Sequence, residues 1–460
     1  MLAIISDLHL TDKTSGEIIS DSAFRLFRNR LSDMAYDASW HCDAEGAEPY
    51  YKPIERMDII LLGDIPDMIR SEKWIGQPDD NMPWSKKKTD AFYTLADNIV
   101  DDILLKNASS FEILKDIHQK GIRIPLTMDV ASRATQEKEK VKYAATGDHF
   151  VTVHIHYMIG NHDWFFCIDD RRMDKTRKKV VEKLGLANDP GKPFPHARKD
   201  NTEILWVQDE HKVFAEHGDE YDPTNYQKPH RDDSSIGDAV VIKLLNAIPD
   251  RIEHYLQPSA DKLDPDELKA FIKALHEIDN LRPYTLAADW IDYKRKESKL
   301  PAAIINPAIS LALREVIAEF RQCPLVAKNK QLSIILWFVK LMFGRGFNIA
   351  HLGYILKVLH KTKDTPESYR KYALEMANKQ DKDFFVMGHT HYAEAVPLYN
   401  YDEGKRSKIY LNTGTWRSVH FKPLQGDGFI SYKTMTIAGF YKPNERKGRP
   451  FEFWTGYLAI

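Results

Sequence analysis

AIISDLHL (residues 3–10) decides how the rest of the chain reads. An apolar run breaks at Ser6, and a carboxylate (Asp7) and an imidazole (His9) follow at once. The pattern recurs. MDIILLGDIPD (57–67) is a continuous apolar run, suited to a strand buried on both faces, that ends in Gly63-Asp64 with Asp67 behind it. HFVTVHIHYMIGNHD (149–163) alternates like a strand and stops at Gly160-Asn161-His162-Asp163. HKVFAEHGDEYD (211–222) stops at His217-Gly218-Asp219, and DFFVMGHTHY (383–392) at Gly388-His389 with His391. Sites in open α/β sheets gather at the carboxyl ends of strands. These five ends are therefore predicted to converge on one point.

The residue types at those ends suit Mn, Fe, Zn and similar divalent ions. There are too many for one ion, since a catalytic zinc takes three protein ligands. They suffice for two ions if one carboxylate bridges them. Two ions ~3.5–4 Å apart clamp both the attacking and the leaving oxygen of a phosphoryl group. The glycines before Asp64, Asn161 and His389 permit close backbone approach.

Read in order, DLH, GDIPD, GNHD, EHGD and GHTH make the chain resemble the calcineurin-like metallophosphoesterase superfamily, whose motifs are DxH, GDxxD, GNHD, an isolated His and GHxH. HGDEYD, a long helical stretch, then GHTHYAEAVPL and YLNTGTW are similar to the branch of UDP-diacylglucosamine pyrophosphatases, which carries a helical lid at the same place. That branch has Arg where this chain has His162, and its lid is shorter. The resemblance implies an α/β fold, a metallophosphoesterase-type αββα sandwich with a large helical insertion. It implies that Asp7, His9 and His391 hold one metal ion, that Asn161, His217 and His389 hold the other, and that Asp64 bridges them. It further implies in-line attack on phosphorus by a hydroxide between the ions, with His162 protonating the leaving oxygen and Asp67 orienting that ring. Such chemistry is sound: metals make a nucleophile of water near neutral pH, and a carboxylate-held histidine suits acid catalysis.

The expected function is a cytoplasmic hydrolase that uses two divalent ions, Mn²⁺ first and Fe, Zn, Ni or Co as alternatives. Its substrate would be a small phosphate compound, of nucleotide type for example, cut at a phosphodiester or pyrophosphate bond. A nuclease of the same superfamily is the alternative. It would need a basic track beside the metals and would bind in a strongly salt-dependent way, whereas the chain has only short basic clusters. A non-catalytic scaffold is a third class, disfavoured because every ligand position and His162 are present.

Bulk properties agree. The 460 residues allow two to three domains of ~100–200 residues or one large domain with insertions. With 43% hydrophobic and 29% charged residues the composition is globular, and a net charge of −2 gives no basic excess for nucleic acid. Cys42, Cys167 and Cys323 are too scattered for a disulfide framework or a CxxC zinc site, which points to a reducing compartment. The start turns acidic too early for a signal peptide. The longest apolar run, LSIILWFVKLMF (332–343), carries Lys340 and falls short of the ~20 residues of a membrane span, so it reads as a buried or amphipathic helix. The expected organisation is a core at 1–236 with a mostly helical insertion near 70–148, a helical insertion or lid at 237–379, and the second part of the core at 380–460. Nothing in the sequence sets the oligomeric state.

Other features have plainer readings. His154 and His156 make an HxH outside the motif pattern and are expected to pack or hydrogen-bond. Asp219 and Asp222 either support His217 or cap a turn. The charged run 169–183 reads as a solvated helix face, or as a means of drawing an anion in. Arg417, after NTGTW, is a weak candidate for a phosphate contact or a structural salt bridge.

Overall fold

A computed structural model describes the chain except for residues 17–18, 44–46, 133–141, 227–228, 331, 335, 338–348, 360–364, 402–405 and 459–460. Strand alternation organises it. All of β1 (Leu2–Ile5) is buried, yet Leu2 and Ile4 enter one apolar cluster while Ala3 and Ile5 enter another. β4 (Arg56–Leu62) divides likewise, with Ile60 and Leu62 on one side and Ile59 and Leu61 on the other. A strand buried on both faces reads as a continuous apolar run, as β1 does throughout and β4 does over Ile59–Leu62.

The result is a mixed α/β fold. β1 pairs in parallel with β4, and β4 with β6 (Lys142–Met158). Antiparallel partners complete this larger sheet: β5 (Ile122–Ser132) beside β6, β12 (Ile430–Phe440) beside β1, and β11 (Ser418–Phe421) and β13 (Phe451–Leu458) beside β12. A smaller sheet runs β7 (Val213–Ala215), β8 (Phe384–Met387), β10 (Arg406–Thr413), β9 (Ala393–Tyr401). Its first three strands are parallel and β9 is antiparallel. The two sheets share an apolar layer in which Leu2, Ile4, Ile60 and Met158 meet Val213, Phe384, Val386 and Leu411.

Helices cover the other faces. α1 (Asp21–Ala38) is capped by the Ser20 side chain and presents Phe24, Phe27 and Leu31 inward, where Phe24 and Phe27 flank the buried Trp416 at 5.5 and 5.4 Å. α2 (Asp90–Lys106), α3 (Ala108–Lys120) and α4 (Arg171–Leu184) join the same cluster. On the smaller sheet, Tyr369, Ala373 and Ala377 of the helix Pro366–Lys379 meet Phe385, Met387 and Tyr410.

Two stretches carry detail that the sequence reading lacks. The stretch 70–148 is helical over α2 and α3 and strand beyond them. After α2 and α3 it forms β5 and the start of β6, which pair from Ile122↔Val151 outward to Ser132↔Lys142. IRIPLTMDV has strand-like alternation and β-branched residues, and its Pro125 is tolerated because β5 is an edge strand. The second is 237–379. Its described residues are helical, in Ala247–Leu256, Pro265–Leu275, Ala287–Glu297 and Ala302–Gln322 among others. They build no separate core: Leu244, Ile248, Ile278 and Leu281 join the cluster that holds Ile5 and Ile59. Of the apolar run 332–343, Leu332 and Leu336 are buried, Ile334 and Trp337 are half exposed, and residues 338–343 lie outside the described residues. Among the described residues, no helix is long and apolar enough to cross a membrane. None of the three cysteines forms a disulfide.

The start of β4 also carries a charged cluster. Buried Asp58 accepts from Arg56 Nε (2.9 Å) and Nη2 (2.7 Å) and sits 2.9 Å from His156 Nε2. Burial opposes its ionisation, but the His156 and Arg56 contacts win and hold the carboxyl well below the usual range. A folded-state pKa below the unfolded one stabilises above about pH 4 and is lost as pH falls through it. Between about pH 5 and pH 3 the melting temperature of Asp58→Asn should therefore fall less steeply than that of the unmodified protein. Identical acid limbs in the two melting series would contradict this.

Candidate metal centre

The carboxyl ends of β1, β4, β6, β7 and β8 do meet. Beyond β1 and β4 the backbones stay zipped: Asp7 N donates to Gly63 O (3.1 Å), His9 N to Asp64 O (2.8 Å) and Leu10 N to Ile65 O (2.8 Å). From β6, His162 N donates to Asp64 Oδ1 (2.8 Å). From β7 and β8, Gly388 N donates to His217 O (3.0 Å), and His389 N reaches Asp7 Oδ2 (3.0 Å). The loops after β6 and β8 thus each brace a carboxylate that another strand delivers.

The bracing is held against backbone cost. Nine described non-glycine residues have positive φ, and five of them are Asp7 (52°), His9 (44°), Asp64 (56°), His389 (66°) and His391 (62°). Such conformations cost of order 1 kcal/mol each and persist where surroundings over-determine them, which is typical of functional sites.

Side chains form two groups with potential ligand atoms within 4.8 Å of one another: Asp7, His9 and His391, and Asp64, His217 and His389. Asn161 joins the second through Oδ1, 2.9 Å from His389 Nδ1. A third such set, His9, Asp67 and His162, shares His9. All nine residues singled out from the motifs therefore occupy one region, and Asp64 touches both groups, with Oδ2 at 3.7 Å from His9 Nε2 and 3.3 Å from His217 Nε2.

Hydrogen bonding fixes which ring nitrogens face inward. His217 Nδ1 must donate to Leu62 O at 2.8 Å, so in the neutral ring Nε2 carries the lone pair. That atom is buried without a hydrogen-bond partner and points at a carboxylate oxygen. His9 Nδ1 donates to Asp67 Oδ2 (2.7 Å), which turns its Nε2 lone pair towards His391 Nε2 (2.9 Å) and Asp7 Oδ1 (3.7 Å). Lone pairs opposed in a buried space require positive charge between them, which protons or cations can supply. The donor set suits divalent cations, and the close glycines keep the space open. A Cβ on Gly160 would overlap Asp64 Oδ1 and His217 Nε2, and one on Gly388 would overlap Asp7 Oδ2.

Protons show the same demand. Burial disfavours the charged His217 ring, yet Asp64 and Asp7 raise its pKa to about 10. His162 is raised to about 9, again against burial, by Asp67 and Asp64. Asp67 binds both rings, at 2.7 Å to His9 and 2.8 Å to His162 Nδ1, and is held well below the carboxylate range. His162 alone of this pair reaches the cavity of about 300 Å³ above the cluster, as a cationic ring braced from behind.

Several residues take other places. Arg417 does not line the cavity: it is buried behind His9 and donates to the His9 carbonyl at 3.2 Å, because β11 leaves from beneath the site. Burial and neighbouring Arg70 push its pKa down to about 10. His156 is bonded to Asp58, and His154 stacks on it, both away from the cluster. Asp222 caps a turn through Thr224 N (2.8 Å) and also faces His389 Nε2 (3.6 Å), whereas Asp219 pairs with Arg231. The charged helix α4 spends Arg172, Lys175 and Lys179 on Asp90, Asp97 and Asp101 of α2 and its flank, and buries Arg177. Asp163, the last residue of GNHD, is a brace: burial and Asp64 push it up to about 7, and it accepts from Gly160 N (2.6 Å) and Ile65 N (3.0 Å).

Two arginines escaped sequence reading. Arg70 Nε lies 3.2 Å from Asp67 and 3.1 Å from Asp279, and its place three residues after Asp67 was an available signal. Arg282 reaches His391 from the helical segment and has no motif around it.

No family model matches the chain, and no characterised protein matches it.

If the cluster holds a divalent ion such as Mn²⁺, Gly160→Ala should leave far-ultraviolet circular dichroism unchanged and weaken that binding by about 10- to 100-fold, the range for disturbed ligand support. Calorimetric titration measures it, and a variant that binds Mn²⁺ as the unmodified protein does would remove the crowded-cradle argument.

Proposed function

We propose that this chain is a metallophosphoesterase of the calcineurin-like kind, hydrolysing a phosphodiester or pyrophosphate bond in a small phosphate compound. One observation carries the reading: Asp7, His9, Asp64, Asn161, His217, His389 and His391 come from five strand ends to two adjoining ligand groups joined by Asp64. The stacked sheets with outer helices support an αββα sandwich of that superfamily, and the helical segment lies between the fourth and fifth motifs, as in its lidded branch.

Asp7, His9 and His391 would hold one divalent ion and Asn161, His217 and His389 the other, with Asp64 shared. When bound, two such ions, Mn²⁺ first, supply an activated water at neutral pH and offset phosphoryl charge. The chain's own groups do the rest. His162 holds a proton at the cavity wall and delivers it to the leaving oxygen. Asp67 keeps that ring in one orientation through Nδ1 and sustains its charge. A cavity of about 300 Å³ is the size of a small-molecule site and far from that of a duplex, which favours a compact substrate over nucleic acid. A reducing, cytoplasmic setting accords with three cysteines outside any disulfide.

A screen of phosphomonoesters, diesters, nucleotide sugars and nucleic acids with added Mn²⁺ should find turnover that chelation abolishes. Undiminished activity after thorough chelation sinks the proposal. Asp64→Ala should lose metal and turnover together. His162→Ala should keep the metals and slow an alkyl ester by about 10²- to 10⁴-fold, the usual share of a general acid, but an activated aryl ester far less. Equal slowing of both esters would refute the acid role.

A further inference from the structure

Asp67 holds more than the His162 ring. Its Oδ1 accepts from His162 Nδ1 (2.8 Å) and from the backbone N of Arg70 (3.1 Å). Its Oδ2 accepts from His9 Nδ1 (2.7 Å) and lies 3.2 Å from Arg70 Nε. One buried carboxylate thus carries two imidazoles and the arginine three residues on. The helical segment anchors that arginine in turn. Nη2 donates to Asp279 O (2.9 Å), Nη1 to Asn280 Oδ1 (3.4 Å), and Nε stands 3.1 Å from the Asp279 carboxylate. Arg70 is only 3% exposed, so water screens these contacts little. The loop that supplies them is itself tied down: Leu281 forms a bridge with His420 of β11, and Arg282 N donates to His420 O (3.1 Å).

The terminal torsion of an aspartate is soft, and a ring bonded to one carboxylate oxygen moves when that torsion moves. Proton delivery needs the ring within hydrogen-bond reach of the leaving oxygen, so the plane of Asp67 has to be set. Arg70 engages both of its oxygens, one from the backbone and one from the side chain. The side chain stays in place because two carboxylates flank Nε and the segment takes hold of both Nη atoms. We infer that Arg70 and Asp279 are positioning residues for the acid: the helical segment, through Asp279, clamps Arg70 on Asp67 and so fixes the ring of His162. This rests on the phosphoesterase reading and deepens it. The acid step is then set from a segment that contains neither the acid nor any of the ligand positions.

The test measures kcat and KM for an alkyl and an activated aryl phosphodiester on the full chain at saturating Mn²⁺, with metal content followed in parallel. Arg70→Gln should keep its metal and lower kcat for the alkyl ester by about 10- to 100-fold, the cost of a misplaced group, with far less effect on the aryl ester. KM should stay within about 3-fold, since Arg70 acts through Asp67 and not on the substrate. Asp279→Asn leaves the Arg70 bond to the Asp279 carbonyl in place, so it should shift the same alkyl-to-aryl ratio by a smaller factor, and it decides the matter if Arg70→Gln does not fold. In a His162→Ala background Arg70→Gln should change the alkyl rate by less than about 3-fold, because the group it positions is gone. A merely structural role would slow that variant as well. An unchanged ratio or lost metal in both variants, a raised KM, or the full loss repeated in the His162→Ala background overturns the inference. Metal-dependent turnover by the unmodified protein would leave the phosphoesterase reading standing in each of those cases. Its absence from the unmodified protein overturns both.

Discussion

Everything at the centre of this fold depends on one electrostatic demand. Asp7 and Asp64 are buried carboxylates, and the imidazole lone pairs of His9 and His217 are turned towards them by hydrogen bonds on the opposite side of each ring. Such an arrangement is repulsive unless positive charge lies inside it. The backbone amides of His162 and His389 take up part of the carboxylate charge, and the remainder is directed into a shared space. On the proposed reading two divalent ions satisfy that demand, and the phosphoryl chemistry follows from where they would sit.

The surrounding structure exists to hold these groups against strain. Left-handed backbone at Asp7, His9, Asp64, His389 and His391 would relax if the loops were free. They are not free, because parallel strands set neighbours side by side and the loops continue the pairing past the strand ends. The shared apolar layer beneath, from Leu2 and Ile60 to Val386 and Leu411, fixes the two sheets relative to each other. A ligand set split between sheets can keep its geometry only if that layer does not slide.

The acid and the helical segment are joined by a chain of charges. His162 rests on Asp67, Asp67 on Arg70, and Arg70 on Asp279. The segment shares its apolar core with the larger sheet and brings Arg282 to His391. It is therefore part of the site's wall, and its contribution falls on the side where substrates would be told apart.

Five local patterns in the sequence were enough to name the cluster. A strand that must bury both faces has to be apolar throughout, so the abrupt change to Asp, Asn and His at its end is visible without a structure. The same reasoning placed His156 outside the cluster. It did not separate 122–148 from the helices before it, because the strand-like alternation of IRIPLTMDV follows two strong helices and an edge strand is set by its partner. It left Arg417 open between two roles because burial behind His9 comes from where β11 starts. Arg282 and Asp279 had no legible signal at all: their places arise where a loop crosses back over the core, more than a hundred residues from His391 and Arg70, which they meet. Local chemistry and strand period are properties of neighbouring residues, and the sequence by itself determined those. The tertiary structure alone decided which distant side chains share a cavity, since that depends on how whole layers pack.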